Sequence, residues 1–261
     1  AVAAVFHVLN HATFKASLFM IAGIVDHETH SRDMRQLGGL WSLMPWTATL
    51  SMVAAASMAG VPLTNGFLSK EMFFTEAVVG TAGVWAWVVP ALVTLAGVCS
   101  VAYSLRFVHD TYFNGPLGDV PNRHPHEPPL GMKLPSTLLV TMCIVVGLFP
   151  AMTLGPLVHV AATALSGKAL PEYHLAIWHG FNLPLLMSAI ALVVGVGLYL
   201  WLAQGKRLHR IQSEQWFGPA TGRQMFDAAI DGLFASAGRL SARLETGSLQ
   251  RYLVWVIVPA V

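Results

Sequence analysis

The chain has 261 residues, 55% of them hydrophobic and 11% charged, with a formal net charge of +2. An average soluble domain is roughly a quarter charged, so this balance points to a membrane protein. The near-neutral charge, with no basic tract interleaved with aromatics, excludes a strongly basic nucleic-acid binder. Charges gather in a few stretches between long uncharged runs. The chain opens without Met or a basic leader and closes inside an apolar stretch, and so reads as part of a longer protein.

A bilayer core about 30 Å thick takes roughly 20 apolar residues per helix. Runs of that kind cover about 1–25, 43–61, 84–108, 135–154 and 183–203, and another starts near Leu249. In the first, His7, His11 and Lys15 recur at every fourth residue, which places all three on one helix face. A Lys at bilayer centre costs roughly 2.5–3.5 kcal/mol on insertion scales, so an ionisable stripe there is a functional hypothesis by default. The alternative is a Lys15 that snorkels to the headgroups and two His that bond their neighbours. The polar stretch DHETHSRDMRQLGG follows. Its His27, Glu28, His30 and Asp33 are residue types that bind metals, but a dense polar loop more often faces water.

Between the second and third runs lies LTNGFLSKEMFFTEAVVG, apolar enough to be embedded yet holding Ser69, Lys70, Glu71 and Glu76 just after Pro62 and Gly66. It reads as a broken or short helix buried among its neighbours. Irregular backbone at membrane depth is tolerated only where protein or a water-filled cavity satisfies it. Lys70 is then a switchable proton carrier, since burial readily moves a Lys toward neutrality. A static Lys70–Glu71 ion pair holding the break shut is the plainer alternative, and Glu76 belongs either to the path or to the surface.

Further along, His109 with Asp110 ends the third run as an interfacial pair or a relay member. His124, His126 and Glu127 fall in a Pro-rich loop expected to face solvent, and His159 in a short amphipathic stretch over 156–165. His174 and His179 bracket a short apolar stretch as a gate or an interface feature. Phe226, Ile230, Leu233, Phe234, Ala237, Leu240 and Leu244 recur at three- and four-residue spacing, the pattern of an amphipathic helix. Cys99 and Cys143 lie inside apolar runs as packing residues. Seven of the fifteen Lys and Arg fall between Lys206 and Arg251, which assigns that side to the cytoplasm. Counting spans backward puts His27–Arg35 outside and His124–Lys133 inside. The organisation expected is a helical bundle over 1–203, a lateral amphipathic segment over 204–248 and the start of a further span over 249–261.

FHVLNHATFKASLF resembles the HxxxHAxFKAxLF signature of antiporter-like subunits, and GVPLTNGFLSKEMFF resembles their GxPxxxGFxSK(D/E) segment, which is shared with the proton-pumping subunits of respiratory complex I. GIVDHETHSRDMRQLGGL and PEYHLAIWHGFN are similar to the large A subunit of the Mrp-type (Mnh, Pha) monovalent cation/proton antiporter. The resemblance implies an all-α polytopic transmembrane bundle with one broken helix and a lateral amphipathic helix, in a bacterial inner membrane. It implies a proton relay of His7, His11, Lys15, Lys70 and Glu71, with Glu76, His109 and His179 secondary. It further implies a transporter component rather than an enzyme, carrying H+ and Na+ or another monovalent cation without a cofactor or metal. Its partners would be the other subunits of a hetero-oligomeric complex and membrane lipid. The family's first repeat, with its own Lys and Glu, would precede Ala1. The nearest alternative is a proton-pumping subunit of a complex I or membrane-hydrogenase type assembly. From other classes come a haem-binding redox protein using His7 and His11, and a structural brace whose buried charges are frozen pairs.

Overall fold

A computed structural model of the chain describes residues 1–122, 124–167, 175, 178, 180–204 and 222–244. All regular structure among them is helical: α1 (Val2–Thr29), α2 (Pro45–Ala59), α3 (Asn65–Val79), α4 (Trp85–Val108), a π-helical turn (His109–Phe113), α5 (Leu130–Leu148), α6 (Pro150–Thr153), α7 (Gly155–Ser166), α8 (Leu183–Gln204) and α9 (Gly222–Leu244). Residues 1–202 form one compact unit, and α9 belongs to a second covering 203–261. The spaced apolar residues from Phe226 to Leu244 fall on α9, which is continuous over 23 residues.

Among the described residues, four helical stretches are long and apolar enough to cross a membrane: Val2–Thr29, Trp85–Phe113, Leu130–Leu148 and Leu183–Ala203. The second apolar run of the sequence does not make another by itself. With 15 residues, α2 is about 22 Å long, short of a bilayer core of about 30 Å. It starts on Pro45, whose fixed φ suits a first helical position. It stops at Gly60, which takes the left-handed conformation at φ 82° and returns its N–H to Ala56 O and Ser57 O. Pro62 follows, and Leu63 is held at φ 70°, a region bulky side chains seldom occupy. Helix then resumes as α3, so α2 and α3 make one interrupted crossing. A second interruption lies at the far end of α4, where the helix widens into the π-helical turn.

The core of the first unit is built around α1. Phe14, Leu18 and Ile21 pack with Leu50, Ala54, Ala55 and Met58 of α2 and with Val140 and Cys143 of α5. A turn or two earlier, Val2 and Phe6 pack with Phe67 and Leu68 of α3, Val146 of α5, and Val158 and Ala162 of α7. The run of Ala and Ser at the end of α2 lets these helices approach closely, as small residues do between membrane helices. Closest of all is the step from α2 to α3: a side chain at Gly66 would collide with the Ser57 carbonyl.

The two polar loops meet on one side, which corrects the span count made from the sequence. Gly118 N donates to Gln36 O at 3.0 Å, Asn122 Nδ2 to Glu28 O at 2.7 Å, and His126 Nδ1 lies 3.4 Å from Glu28 Oε2. The count failed because α2 and α3 together cross once, so the chain returns through α4 to the face it left. Glu127, expected to face solvent, instead supplies the cap that α2 lacks. Its carboxylate accepts from Trp46 N at 2.6 Å, Thr47 N at 3.0 Å and Thr47 Oγ1 at 3.0 Å. These amides have no partner within their own helix, and the carboxylate sits at the positive pole of the helix dipole. In the first loop, hydrogen bonds from Arg35 hold the Asp33 carboxyl down at about 2. That surface brace is fully present above the ordinary value of 3.8 and is lost only as pH falls through about 2.

Candidate functional site

The site is built where α2 ends inside the bundle. A helix leaves its last four carbonyls without intrahelical partners, and here each can be traced. Ala56 O accepts from Gly60 N and Val61 N, and Ser57 O from Gly60 N. Met58 O accepts from Ser100 Oγ at 3.1 Å, and Ala59 O from Lys70 Nζ at 2.7 Å. The Lys70 ammonium, one turn into α3, therefore folds back onto the negative pole of α2, where a cation is favoured. Gly60 makes room for it: a Cβ there would stand 2.7 Å from Lys70 Cδ. Lys70 Nζ also reaches Ser100 Oγ of α4 at 3.3 Å.

Beside Lys70, the Ser69 hydroxyl is hydrogen-bonded to His7 Nδ1 of α1 at 2.6 Å. The His7 ring lies 5.7 Å from that of His11 and 5.8 Å from that of Phe73. Lys15, one turn beyond His11, places Nζ 5.4 Å from the centre of the Tyr103 ring of α4, a cation–π contact. The helix spacing thus does put His7, His11 and Lys15 on one side of α1, and the fold brings His7 against the segment that carries Lys70. His7 and Lys15 are half-buried, and His11 is exposed.

Glu71 is buried at 4% exposure. The hydrogen bonds of the Lys70 ammonium go to Ala59 O and Ser100 Oγ. Glu76 is exposed. His109 lies in a separate cluster at the end of α4, with Asp110 Oδ1 at 3.4 Å and the Tyr199 ring at 5.9 Å, while Arg106 Nε is 3.3 Å from Asp110. His174 and His179 lie outside the described residues. The His27–Glu28 group contains no metal constellation: Glu28 is buried between His27 and His126, and no cluster of three or more His, Cys, Asp or Glu able to hold a metal occurs among the described residues.

Several members of this site carry no signal in a hydropathy profile. Ser57 donates to Asn65 Oδ1 across the break, and Gly66 N donates to Ser57 Oγ. Asn65, to which the sequence attaches no role, is fully buried as the first residue of α3. Asn10 of α1 is fully buried as well, with neither amide atom bonded to a described residue.

Residues 1–99, which hold both the stripe and the break, match the family model described as NADH:quinone oxidoreductase/Mrp antiporter, TM. Over its full length the chain is 49% identical to the probable K+/H+ antiporter A/B subunit of Rhizobium meliloti (strain 1021), covering 26% of that protein. The chain belongs to the family of Mrp antiporter A subunits. The Na+/H+ antiporter A subunit of Bacillus subtilis (strain 168) is 35% identical over 98% of this chain and 33% of its own length. The Mrp complex from Dietzia sp. DQ12-45-1b contains a chain that superposes with a TM-score of 0.72 at 34% identity, over 99% of this chain and 27% of that one. The membrane-bound sulfane sulfur reductase, an archaeal respiratory membrane complex, shares the fold alone, at a TM-score of 0.55 and 17% identity over 99% of this chain and 46% of that one. The present Mrp-family segment spans about a quarter to a third of the length of these curated relatives.

Proposed function

We propose that this segment is part of the proton-translocating subunit of a multi-subunit monovalent cation/proton antiporter, and that His7, His11, Lys15, Lys70 and Glu71 form its intramembrane relay. The carrying observation is the Lys70 ammonium seated on the broken end of α2, with Ser69 beside it bonded to His7. A Lys so held has two stable conditions. Protonated, it neutralises the carbonyl pole of α2; deprotonated, it leaves that pole bare and changes the field at the next titratable group. The His7–His11 pair continues the polar line along α1 toward Lys15. Cation movement in the opposite direction is coupled through that field or through a neighbouring member of the hetero-oligomer, in a bacterial inner membrane. No resident cofactor enters the scheme. The similarity of 35–49% to proteins named antiporter subunits favours exchange over the respiratory pumping role.

The test is cation-dependent dissipation of a pH gradient in vesicles carrying the intact complex, with Na+, K+ and Li+ in turn. Lys70→Ala and Lys15→Ala are each expected to abolish exchange in complexes that still assemble. Wild-type rates in both variants would overturn the relay.

A further inference from the structure

We infer that Ser100 of α4 is the positioning residue for Lys70: its hydroxyl sets the direction in which the exchangeable N–H of the ammonium points. The inference rests on the reading of Lys70 as a relay member. A Ser or Thr inside a membrane helix ordinarily turns its hydroxyl back to the carbonyl four residues earlier. Thr94 does so with Pro90 O and Ser104 with Ser100 O. Ser100 departs from that default and reaches to another helix, donating to Met58 O at 3.1 Å while its oxygen lies 3.3 Å from Lys70 Nζ.

With the hydroxyl hydrogen directed at Met58 O, the oxygen lone pairs are left facing the ammonium. An ammonium has three N–H groups and accepts nothing. One is fixed by Ala59 O and a second by Ser100 Oγ, so the third is fixed in direction as well. Without Ser100 the ammonium keeps one anchor and can rotate about it. The hydroxyl exchanges no proton itself; it acts through Lys70. The titratable groups of α3 and of the helices packed against it include His7, His11 and Lys15 of α1, Glu71 and Glu76 of α3, Cys99, Tyr103 and Arg106 of α4 and Cys143 of α5, with none on α2. The Ser100 hydroxyl is bonded to Lys70 Nζ and Met58 O.

The experiment is vesicle antiport by the whole complex with Ser100→Ala, Ser100→Val and Ser100→Thr, read as rate against pH alongside Lys70→Ala. A hydrogen bond to a charged group contributes enough that its loss slows exchange by about tenfold. Alanine and valine are expected to show that loss, with the pH profile moved toward acid by about one unit because the ammonium has lost an acceptor. Threonine, which keeps the hydroxyl, is expected to restore both rate and profile. Valine has the shape of threonine without its oxygen, so this pair decides the question even if the alanine variant fails to assemble. Valine performing as well as threonine would overturn the inference, as would a slower alanine variant with an unmoved profile. A wild-type rate in Ser100→Ala with Lys70→Ala inactive overturns the role of Ser100 alone. A wild-type rate in Lys70→Ala overturns the relay beneath it.

Discussion

Asn10 sits between two of the turns that carry His7 and His11, on the buried rather than the exposed side of α1. A buried amide with no partner costs about 1–3 kcal/mol, so packing gives no reason for it. Asn10→Leu, close in volume and apolar, is expected to leave the melting temperature of the assembled complex unchanged or raised while slowing antiport. A variant that is stable and fully active would remove Asn10 from the site, and a destabilised one would show that the amide is bonded after all. His7, His11 and Lys15 were legible in the sequence from their helical spacing, and Lys70 and Glu71 from the interrupted apolar segment that carries them. The hydroxyls and amides were not. Ser69, Ser100 and Asn65 pass as ordinary residues of a membrane helix, and their significance lies in partners that are 62 residues away for Ser69 and 30 for Ser100.

The interruption between α2 and α3 was legible in the sequence, where the second apolar run closes at Val61 and Pro62 and Gly66 follow. Its geometry was hidden: the backbone at Gly60 and Leu63 and the close approach at Gly66 are revealed only by folded neighbours. The outer end of α2 was equally hidden: its cap comes from Glu127, 80 residues downstream of Thr47. Glu127→Gln retains the shape but loses the anion that three α2 donor groups share. It is expected to destabilise the unit by about 1 kcal/mol, seen as a lower melting temperature with antiport largely preserved. An unchanged melting temperature would mean that the cap contributes nothing.

At the scale of the molecule, the sequence supplied the class of fold and the number of apolar runs, but the sidedness inferred from them was wrong for a simple reason. Two helices of 15 residues count as two spans to a window method and as one crossing to the chain. The contacts between the 26–39 and 114–129 regions make a direct prediction. In intact vesicles, Ser31→Cys and His124→Cys should react with a membrane-impermeant maleimide from the same side, and Val84→Cys from the opposite one. Labelling of the first two from opposite sides would refute this topology.

The caps on α2 have one more consequence. This short rod of aligned amides begins on a carboxylate and ends on an ammonium, neither belonging to the rod itself. Because a terminal charge is felt chiefly within the adjoining turn, discharging the inner terminal leaves the outer one undisturbed. In the proposed relay the electrical disturbance therefore stays local, at the break where Ser57 is bonded to Asn65. A relay of the proposed kind would be felt first across the break, in α3, while the Glu127 end of α2 stays anchored.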